Sequence, residues 1–364
     1  MNTPAVETTA AAFPTLQHVV EAARRNLPPG PWNYLVGGTE TETTVRRNRQ
    51  AIDSVAFRPR VLVDVSHVDC SADFLGSRVR LPVLLAPIGG LESIAEGGAA
   101  AAARGSAAFG VPQMLSSVCQ PGLEETAKAA ENLRVFQLYV RGDDAWVDDH
   151  VKRAKDNGYK AFCLTVDVAM YSRRERDLIG GFVKPWRATA PAGSNFQSGL
   201  SWKQVTRFRD KHPDVPLIIK GVATAEDAGL CVKNGVKVVY VSNHGGRQLD
   251  HGLGSIAVLP EVVAAVAGRA EVWVDGGFMR GTDVVKAIAL GAKTVGLGRL
   301  PCLGLGAAGV PGLVRTLELL EDEVKICLGL LGVTALSQLT PRHITRAEPA
   351  NAPGVFSAFP HLTP

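Results

Sequence analysis

PLIIKGVATAEDAGLCVKNGVKVVYVSN, residues 216–243, is the stretch from which the fold can be read. The runs PLIIKG (216–221) and VVYVSN (238–243) are short and almost continuously apolar, the pattern of parallel strands buried on both faces. Between them, 224–235 carries helical spacing and closes on Gly235, a residue type that readily ends a helix. One strand–helix–strand unit is therefore written out in twenty-odd residues.

The same unit recurs on both sides. PVLLAP (82–87), PQMLSS (112–117), RVFQLY (134–139) and AFCLTV (161–166) precede it, and VWVDGG (272–277) and TVGLGR (294–299) follow. Helices are expected at 144–158, where Trp146, Val147, Val151 and Ala154 supply the apolar spacing, and at 281–292. Eight strand–helix units predict an α/β chain folded as a (β/α)8 TIM barrel, with its core at about 81–335. A doubly wound sheet is the competing architecture, but its Gly-rich turn after the first strand is missing.

The whole chain, 1–364, reads as one domain. Residues 1–80 form an N-terminal helical extension and irregular cover. The polar, Gly-rich insertion 181–202 after strand four is read as a lid loop. The Pro-rich tail from Pro341 is expected to wrap a neighbour or hang loose.

Composition narrows the function. The chain is 46% hydrophobic and 20% charged, with a net charge of +4 and no basic run, which points away from nucleic acid. Six widely spaced cysteines without a CxxC pair suit reduced, buried thiols and no metal site. The N-terminus lacks the pattern of a signal peptide, and no apolar run approaches the roughly 18 residues of a membrane span. A cytoplasmic protein is the expectation.

In such a barrel the active site lies where the strands end. Polar or distinctive residues stand at every end: Ala86-Pro87, Ser116, Gln137 with Tyr139, Thr165 with Asp167, Lys220, His244 with Arg247, Asp275, and Gly298-Arg299. One such residue is ordinarily a turn former; eight strands converging on them are not. His244 with a carboxylate partner supplies a general base, and Arg174 and Arg247 can clamp a carboxylate. DGG (275–277), a following helix and GLGR together suggest a phosphate site, with Arg299 adding charge to helix-start amides. Lys220 can stabilise negative charge on a planar cofactor. The set suits removal of hydrogen from a carbon beside a carboxylate.

SNHGGRQLD, QLYV, LTVDV, RERDL, IIKGV and DGGFMRGTDVVKAIALGA resemble the FMN-dependent 2-hydroxy acid oxidase and dehydrogenase family, which includes glycolate oxidase, lactate oxidase and mandelate dehydrogenase. The likeness runs from roughly Asn33 to Gln338. It implies FMN as cofactor and oxidation of an L-2-hydroxy acid to the 2-keto acid, with electrons passing to oxygen or another acceptor. It implies His244 as base, Asp167 as its orienting partner, Arg174 and Arg247 as carboxylate clamp, and Tyr139 as a hydrogen-bonding partner of the substrate. Lys220 would lie near the pyrimidine end of the flavin. Ala86, Pro87, Ile88, Ser116, Gln137, Thr165 and Ser242 match flavin-ring contacts, and Asp275, Gly277, Gly298 and Arg299 the ribityl and phosphate site. A homotetramer is the family's usual assembly.

Three departures stand out. Trp32 is taken as the substrate-binding counterpart of a Tyr near the family's N-terminus. Met279 replaces the phosphate-binding Arg, with Arg280 one place off and aimed elsewhere. Gly89 sits at a position often Ala in oxidases and Gly in dehydrogenase relatives. VDVAMYSRRERDL is close in character to mandelate dehydrogenase, which favours a larger or aromatic, mandelate-like 2-hydroxy acid. The competing readings are a non-flavin isomerase or lyase using Lys220 and the phosphate site, and an FMN-binding relative with an unusual substrate.

Overall fold

The computed structural model describes residues 11–188 and 196–362. Its core is a closed barrel of eight parallel strands in sequential order: β1 (Val83–Leu85), β2 (Gln113–Ser116), β3 (Arg134–Leu138), β4 (Ala161–Thr165), β5 (Leu217–Val222), β6 (Val238–Val241), β7 (Glu271–Asp275) and β8 (Thr294–Leu297). Closure is made by β8 on β1, with Val295 opposite Val83 and Leu297 opposite Leu85. All eight apolar runs thus become barrel strands, because side chains facing in meet the barrel interior and those facing out meet helices.

The helices stop slightly short of the sequence-based limits. Those at Asp144–Asp156, Ala225–Lys233 and Gly281–Ala289 each end two residues before a glycine with positive φ, at Gly158, Gly235 and Gly291. Glycine takes that left-handed turn without a Cβ clash, and the chain then enters the next strand.

The barrel interior is layered. At the bottom, a hairpin (Ala72–Phe74 with Ser77–Val79) inserts Phe74, which stacks on Trp273 at 4.9 Å. Trp273 in turn meets the edge of Tyr240, their centroids 5.9 Å apart. All three rings are fully buried and close that end of the barrel with a dry aromatic plug. Lys220 lies above, its Nζ 5.2 Å from the centre of the Tyr240 ring. The interior therefore turns polar only at the C-terminal ends of the strands, where a cavity opens.

Outside the barrel the extension is helical, at Leu16–Asn26, Pro29–Val36 and Thr43–Asp53. The C-terminal tail folds onto its own chain: Ile344–Arg346 pairs antiparallel with Val55–Phe57, and Phe356 stacks on Trp32 at 5.5 Å. Over these residues it is not loose. In the insertion, Pro185–Ala188 is a short helix and Ser201 caps the helix Trp202–Lys211, so the lid ends before Trp202. Part of it, 189–195, lies outside the described residues.

One helix, Arg299–Leu331, is long and apolar enough to cross a membrane by length and composition, a property that the run-by-run reading passed over. It bends at Ala308–Gly309, and most of its leucines are buried against the helices Leu16–Asn26 and Gly98–Phe109. All six cysteines are buried and unpaired.

Candidate active site

The cavity at the strand ends has a volume of about 440 Å³ and is lined by residues in, or in the loops after, all eight strands, together with Tyr34 and Leu35 of the N-terminal extension. His244 follows β6 and adopts φ +59°, a left-handed conformation uncommon outside glycine. Gly245 and Gly246 continue the same turn at +67° and +77°. Strain of roughly 1–3 kcal/mol at such a residue is tolerated where the surroundings hold it. Here the His244 amide donates to Ser242 Oγ at 3.1 Å, fixing the turn.

The imidazole is gripped at both nitrogens. Nδ1 lies 3.1 and 3.2 Å from the two carboxylate oxygens of Asp167, and Nε2 lies 3.2 Å from the Tyr139 hydroxyl. A carboxylate can only accept, so Nδ1 carries the proton and Nε2 presents its lone pair towards Tyr139 and the cavity. Burial holds the His244 pKa below its usual value, and Asp167, which acts to raise it, does not offset that. Asp167 is held below the normal carboxylate range: burial opposes this, but His244 and Lys220 outweigh it. The resting pair is neutral imidazole beside carboxylate.

Asp167 reaches His244 past β5, and Gly221 makes the space. A Cβ at Gly221 would stand 2.7 Å from the Asp167 Cβ, and its φ of +113° excludes other residues without strain. The β5–β6 register shifts here, with Lys220 opposite Tyr240 but Val222 opposite Val241.

Lys220, Ser242 and Asp275 form a second buried cluster across β5–β7. Lys220 Nζ donates to Ser242 Oγ at 2.7 Å and pairs with Asp275 Oδ2 at 3.1 Å, while Ser242 donates to Asp275 Oδ1 at 2.6 Å. Burial acts to depress the Lys220 pKa, but Asp275 and Asp167 raise it above normal, so the lysine stays charged. Ser242 itself lies beneath the cavity wall and positions its two neighbours.

Arg174 and Arg247 enter from two loops. Arg174 donates to Gln248 Oε1 at 3.0 Å, and Arg247 to the carbonyls of Tyr34 and Gly37. Burial lowers the Arg247 pKa, and neighbouring Arg174 lowers it further. Two guanidinium groups share one wall, and no described carboxylate forms an ion pair with either, an arrangement that an incoming carboxylate would relieve.

Trp32 is misplaced by the sequence reading. It packs outside the cavity on Phe356, and Tyr34, two residues on, lines the wall instead. Successive helical residues turn about 100°, so residues two apart in Pro29–Val36 face nearly opposite directions. Tyr34 donates its hydroxyl to the Gly89 carbonyl at 2.9 Å and lies 4.6 Å under the Arg247 guanidinium. The departure assigned to Trp32 therefore disappears: a Tyr is present at the site. Sequence reading also missed Arg141, Tyr171, Trp186, Gln197 and Gln248; Tyr171 and Gln248 stand inside the quoted runs VDVAMYSRRERDL and SNHGGRQLD, but nothing local marks them as site residues.

At the flavin-like positions, Ala86, Pro87, Ile88 and Gly89 line the cavity beside β1. Ser116, Gln137 and Thr165 end strands that frame it but lie deeper; Ser116 accepts from the Val118 amide. Both amide atoms of Gln137 and the Thr165 hydroxyl are buried without a partner. Such groups are costly unless a ligand satisfies them, and a planar ring edged with donors and acceptors fits that need.

The phosphate end differs from its expected form. Met279 is buried and lines the cavity, while Arg280 turns away to Glu323 at 2.6 Å. Amides at the start of the helix Gly281–Ala289 are occupied: those of Met279 and Arg280 by Asp283, that of Gly281 by Glu323. That helix start is thus no anion site. Gly277, Gly298 and Arg299 line this end of the cavity. Arg299 donates to the carbonyls of Leu35, Gly37 and Gly245, and burial pushes its pKa down to about 9.

The profile of the family described as FMN-dependent dehydrogenase matches residues 23–346. Glycolate oxidase 1 of Zea mays is 39% identical over 343 residues, covering 88% of this chain and 93% of its own. Glycolate oxidase of Spinacia oleracea is 37% identical over the same length. Among solved structures, a mandelate oxidase variant with (S)-mandelic acid superposes at a TM-score of 0.86 with 38% identity, covering 92% of this chain and 99% of that one. A chimera of (S)-mandelate dehydrogenase also superposes at 0.86, with 32% identity.

Two predictions follow from the flavin side of the cavity. Met279→Arg restores a cation and is expected to tighten FMN binding by about tenfold or more, the worth of a charge-assisted hydrogen bond, in a fluorescence titration of the apoprotein. An added Cβ at Gly89 would lie 2.6 Å from Val118 Cγ2. Gly89→Ala alone is therefore expected to lower Tm, and the double variant with Val118→Ala to recover most of the loss in a thermal scan.

Proposed function

The chain belongs to the FMN-dependent dehydrogenase family and carries out FMN-dependent oxidation of 2-hydroxy acids, and from that premise we propose how its own residues divide the work on an L-2-hydroxy acid. FMN, when bound, accepts the two electrons that leave the substrate. Arg174 and Arg247 hold the carboxylate from one wall, with Tyr34 beside Arg247. That placement brings the 2-hydroxyl towards His244 Nε2 and the Tyr139 hydroxyl.

His244 is the base. With Nδ1–H held on Asp167, Nε2 takes a proton from the substrate: from the hydroxyl if the α-hydrogen leaves with its electron pair, from the α-carbon if it leaves as a proton. Asp167 stabilises the imidazolium that forms. Tyr139 orients the hydroxyl, and burial raises its pKa, keeping the phenol protonated as a donor. Lys220, held charged by Asp275, supplies fixed positive charge to the flavin side of the cavity. Loss of two electrons and two protons converts the 2-hydroxy acid to the 2-oxo acid. Oxygen or another small acceptor then takes the electrons.

The observation carrying this reading is the Asp167–His244 pair in one cavity with two arginines that pair with no carboxylate among the described residues. Val118, Met170, Tyr171 and Trp186 on the remaining wall favour an aromatic side chain such as that of mandelate, named with the mandelate oxidase structures.

Anaerobic addition of (S)-mandelate, lactate or glycolate to the FMN-loaded protein is expected to bleach the flavin absorbance. His244→Ala is expected to slow bleaching by two to four orders of magnitude, the usual reach of general base catalysis; near-normal rates would remove His244 from the role. Because the His244 pKa is lowered, its neutral form persists below pH 6.5, the ordinary histidine value. The acid limb of kcat/KM is expected below that pH, and Asp167→Asn, which removes a group stabilising the imidazolium, should move it lower still.

A further inference from the structure

Five cations and one carboxylate line the cavity: Arg141, Arg174, Lys220, Arg247 and Arg299 against Asp275. Lys220 is neutralised by Asp275, and Arg299 is engaged by three backbone carbonyls. Arg174 and Arg247 are accounted for by the substrate carboxylate. Arg141 is left over.

Arg141 follows β3 two residues after Tyr139, so in extended chain the two side chains leave on the same side, and both line the cavity. Its guanidinium lies 5.1 Å from the centre of the Trp186 ring, which meets Tyr171 edge-on at 6.0 Å. No described carboxylate approaches it. The two acids that follow in sequence are committed elsewhere: Asp143 caps the helix Asp144–Asp156, and Asp144 pairs with Arg207 at 2.9 Å. Arg141 is half-buried, and burial lowers its pKa. A half-buried cation stacked on a cavity wall, with no carboxylate partner among the described residues, is a recognition element in want of an anion.

We propose that Arg141 is a specificity-determining residue that selects 2-hydroxy acids bearing a second anionic group at the far end of an apolar or aromatic side chain. This rests on the proposed function above, which sets one end of the substrate at Arg174 and Arg247. The side chain then runs along Val118, Tyr171 and Trp186 and delivers its terminal anion to Arg141. The chemistry recognised is a terminal carboxylate or a similar oxyanion, which the guanidinium can bind through two parallel N–H donors.

The test uses the FMN-loaded full chain in anaerobic stopped flow, following flavin bleaching by 4-carboxymandelate, its neutral amide 4-carbamoylmandelate, and mandelate. The acid is expected to show an apparent Kd about tenfold below that of the amide, as for a hydrogen bond between charged groups. Arg141→Gln should bring the pair within about twofold, and Arg141→Lys should keep part of the preference. Flavin absorbance of each variant confirms that the site is intact. Equal binding of acid and amide by the parent protein, or a preference surviving in Arg141→Gln, overturns the inference. If mandelate bleaches the flavin while acid and amide are indistinguishable, this inference alone falls. If no 2-hydroxy acid bleaches it, the proposed function falls as well.

Discussion

Asp167 and His244 come from strands that are not neighbours. β4 delivers the carboxylate, β6 the imidazole, and β5 runs between them. The two meet only because β5 carries Gly221 at the crossing point, where any Cβ would collide with Asp167. Around that contact the rest of the barrel mouth is organised. The register shift at Gly221 follows Lys220, whose ammonium reaches Ser242 and Asp275 on the next two strands. Ser242 in turn accepts from the His244 amide and holds its left-handed turn. One missing side chain thus admits the base's partner, and a single hydroxyl ties the base to the buried lysine.

The second organising fact is charge. Desolvated cations are tolerated when they are paired, hydrogen-bonded or awaiting a ligand. Lys220 belongs to the first class and Arg299 to the second. Arg174 and Arg247 stand close enough to lower the latter's pKa, so a substrate carboxylate relieves repulsion as well as supplying attraction. The flavin end shows the reverse economy: Met279 removes a cation, and the amides at the following helix start are already taken by Asp283 and Glu323. Anion binding is concentrated on the substrate side of this cavity more than the sequence pattern implied.

Much of this was legible in the residues. Continuous apolar runs at fixed intervals identify barrel strands, since a strand covered on both faces has no polar positions to alternate. Asp275 closes β7, Lys220 lies near the C-terminal end of β5, and His244 follows β6 by three residues, so strand direction alone brings all three to the barrel mouth. Trp32 shows where such reading stops. In a segment with no strand to orient it, choosing between Trp32 and Tyr34 required knowing which face of a short helix met the cavity, and the Phe356 contact from the far end of the chain settled it. Arg280 read correctly as turned away, but its reason, Glu323 on the last long helix, is distant in sequence.

By itself the sequence determined the eight-unit barrel and the chemistry available at its mouth, because burial pattern and strand-end position are local properties of the chain. Only the tertiary structure decided which groups are spent and which are free. The helix-start amides that look open in DGGFMRG are closed by carboxylates, and Arg141, unremarkable in VRGDD, lines the cavity with no carboxylate partner among the described residues. Hydrogen-bond and ion-pair partners are supplied by whichever segments pack nearby, and neither spacing nor composition records that.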